Sequence, residues 1–312
     1  MEDQLDPRNL VITKTQHLGK GCTATVYKGL FKTSSDYTPV AVKILNNDYA
    51  ELVNTAELID ELKILRRVQH PNIVEFIGHT YIDRILHIVT EYMAGGSLHG
   101  YIKDESTVLK YQNTFDYMDQ ILSAMVYLTQ QQIVHRDLAA RNCLMNGDHT
   151  VLKVSDFGLS RSVDFKGEYQ ILHNDIKLPT HSVAIEAFLF CKFTEKTDVW
   201  SFGVLVWELF TRGATPYDPM NYIQIQGFLN EGYQLHCPEA LCATPISGKI
   251  YGMMLCCWDA EPKKRPTFEQ LQDYIRDIVT TNVNKQFMDT QLGCFRNSDT
   301  QRQHSYVNQS LT

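Results

Sequence analysis

Residues 135–142 read His-Arg-Asp-Leu-Ala-Ala-Arg-Asn, and residues 156–158 read Asp-Phe-Gly a short distance further along the chain. Together they supply an acid, a carboxamide and a second acid, which are Asp137, Asn142 and Asp156. An acid such as Asp137 can accept a hydrogen bond from an incoming hydroxyl group, and the oxygen atoms of the other two suit a hard divalent cation. Phosphoryl transfer depends mainly on positioning and charge neutralisation, so this spacing predicts that reaction.

A glycine-rich stretch lies nearer the N-terminus. Residues 19–29 read Gly-Lys-Gly-Cys-Thr-Ala-Thr-Val-Tyr-Lys-Gly and follow a strand-like alternation over residues 10–18. Glycine lets a backbone approach phosphate groups because it carries no Cβ atom. The strand-like run 40–43, Val-Ala-Val-Lys, then places Lys43 where its ammonium group could bridge two phosphates.

In this order the motifs resemble those of the eukaryotic protein kinases, and residues 137–142 resemble the tyrosine kinases in particular. The resemblance implies an α+β, two-lobed protein kinase fold, with a small antiparallel β-sheet lobe and a larger, mainly α-helical lobe. Residues 184–186 resemble the sequence of the Axl/Mer receptor group. Residues 211–217 resemble both that group and the hepatocyte growth factor receptor group. We therefore expect a receptor-type-like tyrosine kinase domain.

The resemblance assigns catalytic roles to Lys43, Glu61, Asp137, Arg141 and Asn142. Asp137 would orient the substrate hydroxyl group and accept its proton, and Arg141 would face the substrate tyrosine. Lys43, held by Glu61, would grip the α- and β-phosphates of ATP. Counting back from His-Pro-Asn at 70–72 places the family's glutamate at residue 61, although a solvated helix carboxylate is the ordinary alternative.

The same resemblance implies a nucleotide site and a metal site. The metal ligands would be Asn142 and Asp156, holding Mg²⁺, with Mn²⁺ as an alternative cation. The expected ATP-binding residues are Leu18, Gly19, Gly21, Val26, Ala41, Lys43, Thr90, Glu91, Met93 and Leu144.

Three ionic residues of the second lobe are expected to be structural. In the family, an acid at the position of Asp198 accepts hydrogen bonds from the backbone of the catalytic loop, which would compensate its burial. Arg265 is placed to pair with Glu186, and deleting one partner of such a pair would leave an uncompensated charge.

Four positions depart from the family pattern and motivate an alternative function. Kinases usually have Phe-Gly where this chain has Thr23 and Ala24, and tyrosine kinases usually have Trp and Pro where it has Ser182 and Ile185. The alternative is a catalytically weak pseudokinase that acts as a binding or scaffold module. A serine/threonine or dual-specificity kinase is disfavoured, because such kinases usually carry Lys at the position of Ala139.

Tyr169 lies in a polar segment, where tyrosine kinases carry a regulatory phosphotyrosine. A phosphate group on it could pair with Arg136 and order this segment. A surface tyrosine with no regulatory role is the alternative. Phosphorylation between two copies would require transient self-association.

Composition excludes several classes of protein. The net charge of −7 argues against nucleic-acid binding, and 44% hydrophobic residues are enough for a full-sized core. No signal-peptide pattern and no membrane-spanning apolar run is evident, so we expect a cytoplasmic protein, with membrane association left open if the chain is a fragment. Eight cysteines are scattered without metal-binding spacing, which favours reduced thiols.

The predicted organisation is an N-terminal segment 1–9, a kinase domain 10–280 and a tail 281–312. Within the domain the small lobe covers about residues 10–92 and the large lobe about 97–280. The tail is rich in Asn, Gln, Ser and Thr, which predicts disorder. Within it, Tyr306-Val307-Asn308 resembles a docking sequence for a phosphotyrosine-reading adaptor, although three residues are easily matched by chance.

Overall fold

The computed structural model describes residues 3–21, 24–33, 36–45, 54–164, 166–170, 181–282 and 285–292. In these ranges the chain forms a small β-sheet lobe followed by a larger helical lobe, which confirms the predicted two-lobed α+β fold. Thr23 and Tyr306 lie outside the described residues. No helix in the described ranges is both long and apolar enough to cross a membrane.

The small lobe is built on one antiparallel sheet and one helix. The sheet has the spatial order β1-β2-β3-β5-β4. Its strands are β1 (Leu10–Lys20), β2 (Ala24–Lys32), β3 (Tyr37–Leu45), β4 (Phe76–Ile82) and β5 (Ile85–Glu91), with helix α1 (Asn54–Leu65) between β3 and β4. On β3 and β5 the side chains of Val40, Val42 and Val89 are fully buried, as expected for β-branched residues at alternating positions of inner strands.

Helix α1 carries Glu61 toward the sheet. Apolar residues recur at helical spacing over residues 54–69, which predicts a helix, and the observed α1 ends four residues earlier, at Leu65. Leu62 and Leu65 of α1 are buried, as is Val68 just beyond it. Because residues three and four apart share a helix face, this stripe fixes which way the neighbouring Glu61 side chain points.

The N-terminal segment packs on the sheet edge at β4. The backbone N–H of Leu5 donates to the His79 carbonyl oxygen at 2.8 Å, and the His79 N–H donates to the Asp3 carbonyl oxygen at 2.9 Å. The Asp3 carboxylate also pairs with the guanidinium group of Arg66, just beyond α1. Gly78 permits this approach, since a Cβ atom there would lie 2.6 Å from the Asp3 carbonyl oxygen.

The large lobe is mainly helical. Its helices are α2 (Leu98–Lys103), α3 (Tyr111–Gln130), α4 (Ile185–Phe190), α5 (Glu195–Phe210), α6 (Tyr222–Asn230), α7 (Glu239–Cys242), α8 (Ser247–Cys257), α9 (Phe268–Asp277) and α10 (Lys285–Met288). Its short strands are β6 (Gly96–Ser97), β7 (Ile133–Val134), β8 (Cys143–Met145), β9 (Leu152–Val154), β10 (Arg161–Ser162), β11 (Tyr169–Gln170) and β12 (Lys192–Phe193).

Helix α5 is the centre of this lobe. Its residues from Thr197 to Phe210 are all buried, including Trp200 and Trp207. A helix that is apolar nearly all round must be surrounded by other elements, and α5 contacts α8, α3 and α2. This rigid helix lies directly behind the catalytic loop and supports it.

Residues 285–292 differ from the predicted disordered tail. They include α10 and pack on the start of α3, where Leu292 N–H donates to the Leu109 carbonyl oxygen at 2.7 Å. Met288 and Leu292 are buried. The segment contains few aliphatic residues, but those few fill a site on α3, a contact that local composition does not reveal.

The predicted pair of Arg265 and Glu186 is present, with nitrogen–oxygen distances of 2.7 and 2.8 Å. The Arg265 side chain is fully buried and that of Glu186 is 12% exposed. We expect Arg265→Met to lower the free energy of unfolding by about 3–5 kcal/mol, because it leaves a buried carboxylate unpaired. Chemical denaturation measures this change.

Arg276→Met is the matched control, since the side chains of Arg276 and Asp119 are 56% and 38% exposed. Exposed pairs are worth about 1 kcal/mol or less. Equal losses in the two variants would contradict a structural role for the buried pair.

Candidate active site

A cavity of about 380 Å³ lies between the two lobes. Nine of the ten predicted ATP-binding residues line it: Leu18, Gly19, Val26, Ala41, Lys43, Thr90, Glu91, Met93 and Leu144. Gly21 is the exception and does not line the cavity. Its N–H donates to the Ala24 carbonyl oxygen at 2.9 Å, which closes the turn between β1 and β2.

The connection between the lobes is braced by the Glu91 side chain. One Glu91 carboxylate oxygen accepts from Lys153 Nζ at 2.6 Å and from the Glu75 N–H at 2.7 Å. The lysine lies on β9 of the large lobe, whereas Glu91 ends β5 of the small lobe. The backbone N–H of Glu91 is also bound, since it donates to the Glu75 carbonyl oxygen at 3.0 Å.

Lys43 is held between two carboxylates inside the cleft. Its Nζ atom lies 2.8 Å from both oxygens of Glu61 and 2.8 Å from Asp156 Oδ1. Burial alone would lower the pKa of Lys43, but the charges of Asp156 and Glu61 outweigh it and raise that pKa. The Lys43 side chain is therefore a fixed cation, and the sequence-predicted pair of Lys43 and Glu61 is brought together.

Asp137, Arg141 and Asn142 form a second cluster in the loop after β7. Asn142 Nδ2 donates to Asp137 Oδ2 at 2.8 Å and to the Asp137 carbonyl oxygen at 2.7 Å. The Arg141 guanidinium group binds the other carboxylate oxygen of Asp137. A short 3₁₀ helix, Ala140–Asn142, brings these side chains together within one turn.

The two acids of the cleft have opposite protonation tendencies. Burial raises the pKa of Asp137 to about 6, although Arg141 opposes it. The neighbouring Lys43 ammonium group holds the pKa of Asp156 at about 2. Two carboxylates with separated pKa values suit different tasks, one as a proton acceptor and one as a permanent anion.

Asn142 and Asp156 are suited to a cation such as Mg²⁺. The Asn142 amide nitrogen is committed to Asp137, so its amide oxygen is the atom left for a cation. The Asp156 side chain is 49% exposed, toward the cleft. No group of three or more His, Cys, Asp or Glu side chains in the described ranges is placed to hold a metal. One carboxylate plus an amide fits Mg²⁺, which usually completes its shell with water and substrate phosphates.

Asp198 anchors the catalytic loop from α5, as predicted. It accepts from the backbone N–H groups of His135 and Arg136 at 2.7 and 2.9 Å. Burial raises the pKa of Asp198 to about 7, while the two N–H donors favour its charged form. These bonds fix the backbone immediately before Asp137.

Glu208 is a second anchor on α5, and the sequence reasoning missed it. Its Oε2 atom accepts from the Ala140 N–H at 3.0 Å, and burial raises its pKa to about 7. Ala140 starts the turn that carries Arg141 and Asn142. The available signal was an acid inside an otherwise apolar helix, since such a group requires a buried partner.

Tyr169 lies on β11, which pairs with β12. The guanidinium group of Arg136 faces its ring at 5.1 Å from the ring centroid, and that of Arg161 lies 6.0 Å away. The ring of Phe193 covers Arg136 at 4.1 Å. The predicted neighbourhood of Tyr169 and Arg136 is therefore present, and it contains a second arginine.

Ser182 and Ile185 occupy the stretch that departs from the family pattern. Ser182 is buried, and its carbonyl oxygen accepts from Ser201 Oγ on α5 at 2.8 Å. Ile185 is the first residue of α4, a position where proline is favoured but not required. Residues 178–180, which precede this stretch, lie outside the described residues.

Comparisons with known proteins agree with this geometry. The family described as protein tyrosine and serine/threonine kinase matches residues 12–275. The tyrosine-protein kinase SRK2 of Spongilla lacustris is 39% identical over 274 residues, covering 88% of this chain and 72% of SRK2. ABL2 of Homo sapiens is 37% identical over 276 residues, covering 86% of this chain and 22% of ABL2. FRK of Homo sapiens is 36% identical over 286 residues, covering 89% of this chain and 53% of FRK.

These three relatives are non-receptor tyrosine kinases. They support the resemblance to tyrosine kinases but not the expected likeness to the Axl/Mer and hepatocyte growth factor receptor groups. The expected likeness to the receptor groups depended on two short segments, residues 184–186 and 211–217. The comparisons with known proteins cover most of the chain. The chain spans 22% of ABL2 and 53% of FRK, so it corresponds to only part of those proteins.

Proposed function

Because the chain belongs to the protein tyrosine and serine/threonine kinase family and its curated relatives are tyrosine kinases, we propose that it transfers the γ-phosphate of ATP to tyrosine hydroxyl groups of proteins. The main support for this proposal is the arrangement of side chains in the cleft. Lys43, Glu61, Asp137, Asn142 and Asp156 are all present and converge on one cleft. A scaffold-only pseudokinase would have no need of this convergence.

In the proposed mechanism the phenolic hydroxyl group of the substrate donates a hydrogen bond to Asp137, which accepts its proton during transfer. Asn142 and Arg141 hold the Asp137 carboxylate in one orientation. Lys43, fixed by Glu61, would hold the α- and β-phosphates of ATP. These residues contribute positioning and charge neutralisation, which are what this reaction requires.

Asn142 and Asp156 would hold Mg²⁺, or Mn²⁺ as the alternative cation. When bound there, the cation offsets the charge that develops on the transferred group. Asp156 remains ionised over the physiological pH range because Lys43 keeps its pKa at about 2. The donor set favours a hard cation with oxygen ligands over a softer metal.

The preference for tyrosine rests on Ala139 and Arg141. Serine/threonine kinases usually place Lys at the position of Ala139, and here a buried alanine lies there instead. Arg141 is exposed enough to face a phenol ring next to Asp137. Matched peptides that differ only in Tyr, Ser or Phe at one position test this proposal. Label on the Tyr peptide alone supports it, and equal label on the Ser peptide would contradict it.

The proton-acceptor role of Asp137 predicts a pH dependence. Its carboxylate form is required, so kcat/KM for the peptide should be retained above pH 6 and fall as the pH drops through about 6. The measurement is an initial-rate profile for Mg·ATP and a Tyr peptide. Nucleotide binding measured over the same pH range separates loss of affinity from loss of catalysis. A rate that stays flat well below pH 6 would contradict the role.

We further propose that Tyr169 is a regulatory phosphorylation site, with transient pairing of two copies for phosphorylation in trans. A phosphate group there would face both Arg136 and Arg161. We expect Tyr169→Phe to remove the rise in activity on preincubation with Mg·ATP, with no change in melting temperature. Tyr81→Phe is the control, because Tyr81 is an exposed tyrosine on β4. The same rise in Tyr169→Phe as in wild type would exclude a switch at this residue.

Two further proposals concern partners and location. Tyr306 is proposed as a docking site for a phosphotyrosine-reading adaptor, which a phosphorylated peptide of residues 300–312 would test by adaptor binding. A cytoplasmic location is supported by thiols that are all unpaired within the described residues. Imaging of the tagged full-length protein tests that location.

A further inference from the structure

Two thiols occupy paired positions at the start of α7. Pro238 is the N-cap residue, so Cys237 is the residue before the cap and Cys242 is the fourth helical residue. Side chains at these two positions characteristically pack against each other across the first turn of a helix. In most helices this contact is formed by hydrophobic residues; here both members are cysteines.

The contacts of the two sulfur atoms agree with this placement. Cys242 Sγ donates to the Cys237 carbonyl oxygen at 3.5 Å. Cys237 Sγ lies 3.8 Å from the Pro238 carbonyl oxygen and 3.8 Å from Ser247 Oγ. Burial and then a hydrogen bond with the Cys242 thiol raise the pKa of Cys237 to about 12. The Cys242 sulfur therefore lies against the backbone of Cys237, and both thiols are reduced in this structure.

The surroundings give the two thiols different reactivity. Cys242 is exposed, whereas Cys237 is half-buried beside the start of α8. Reaction with a soluble oxidant depends on access and on thiolate character. Cys242 is therefore the thiol that an oxidant meets first, and Cys237 is the neighbour within reach of the oxidised sulfur.

We propose that Cys237 and Cys242 form a redox-sensitive thiol pair that hydrogen peroxide closes to a disulfide and that dithiols reopen. The Cys242 thiolate attacks one peroxide oxygen, the O–O bond breaks, and the products are a sulfenic acid and, after protonation, one water. Cys237 sulfur then attacks the Cys242 sulfur, the S–O bond breaks, and its hydroxyl group leaves with the Cys237 proton as a second water. In total, two thiols are oxidised and one peroxide is reduced to two waters.

Cys256 and Cys257 provide an internal comparison. They are adjacent in α8, and neighbouring residues of a helix do not face each other. Cys256 is exposed, whereas Cys257 is fully buried and burial raises the pKa of its thiol. This pair is closer in sequence than Cys237 and Cys242, but its two side chains do not face each other, so we expect oxidation of Cys256 without a partner.

The test is peptide mapping of the full chain after treatment with hydrogen peroxide and alkylation of the remaining thiols. Trypsin releases residues 213–249 with Cys237 and Cys242, and residues 250–263 with Cys256 and Cys257, as separate peptides. We expect the first peptide to lose two hydrogens and both alkylation sites, and to recover them with dithiothreitol. We expect Cys256 to form only sulfenic acid or its further oxides.

Cysteine-to-serine variants identify the two residues that form the disulfide bond. Cys237→Ser should leave a sulfenic acid on Cys242 that a 1,3-diketone traps, whereas Cys242→Ser should leave Cys237 reduced, and Cys256→Ser should not affect the disulfide. Circular dichroism shows whether each variant is folded. Over-oxidation of Cys242 in wild type while Cys237 remains alkylatable would overturn the proposal. Each readout is independent of kinase activity, so failure of the proposed function would not affect it.

Discussion

Asp137→Asn is expected to lower kcat for tyrosine phosphorylation by a factor of about 10²–10⁴, the usual contribution of a positioned general base. The amide keeps the shape of the carboxylate but cannot accept the phenolic proton. It would also present an N–H group to Asn142 or Arg141, which both donate to Asp137 in the native protein. Steady-state kinetics with Mg·ATP and a Tyr peptide measure the loss.

We expect little change in the KM for ATP, because the role proposed for Asp137 concerns the substrate hydroxyl group rather than the nucleotide. Asp119→Asn is the matched control, since Asp119 is a surface acid of α3 paired with Arg276. A fall in kcat of less than tenfold in Asp137→Asn would mean that another group accepts the proton.

Lys43→Met is expected to reduce kcat/KM by a factor of at least about 10², the usual cost of removing one charge-stabilising donor. The lysine holds Glu61 and Asp156 in one cluster, so its loss removes the phosphate contact and places two carboxylates near each other. Glu61 is only 4% exposed. An unpaired buried charge destabilises by about 3–5 kcal/mol, so thermal unfolding should also occur at a lower temperature.

The double variant Lys43→Met, Glu61→Gln separates the two effects. Neutralising Glu61 should restore most of the lost stability, because it removes the unpaired charge from the core. It should restore no activity, because the phosphate contact is still missing. Recovery of turnover in the double variant would show that Lys43 serves the fold rather than the reaction.

Much of the site could be predicted because it depends on short motifs with fixed spacing. Asp137 and Asn142 are five residues apart, and the short 3₁₀ helix that ends at Asn142 brings their side chains together. In α1, burial of Leu62 and Leu65 determines which side of the helix faces the sheet, and hence where Glu61 points. Residues 85–91 are strand-like in sequence, and β5 has these bounds, Ile85–Glu91. Apolar residues recur at helical spacing from Phe115 to Leu128, which predicts a buried helix stripe, and in α3 these residues are buried.

The contacts that could not be predicted join parts of the chain that share no pattern. Glu208 binds the Ala140 N–H across 68 residues, and although an acid inside an apolar helix indicates that it has a buried partner, nothing in the sequence identifies Ala140 as that partner. The N-terminal segment reaches β4 through backbone bonds, which depend on Gly78 but on no particular side chain at Asp3. Met288 and Leu292 are buried although they lie within a polar stretch, and the Leu292 N–H donates to the Leu109 carbonyl oxygen just before α3. Tertiary packing decides such contacts.

The function that we propose for this cleft is phosphoryl transfer from ATP to tyrosine. The most direct measurement incubates the protein with γ-labelled Mg·ATP and a mixed pool of Tyr, Ser and Thr peptides, followed by identification of the labelled amino acid. We predict label on tyrosine that disappears in Asp137→Asn. Nucleotide binding without label in any peptide, or label that persists in Asp137→Asn, would contradict the assignment.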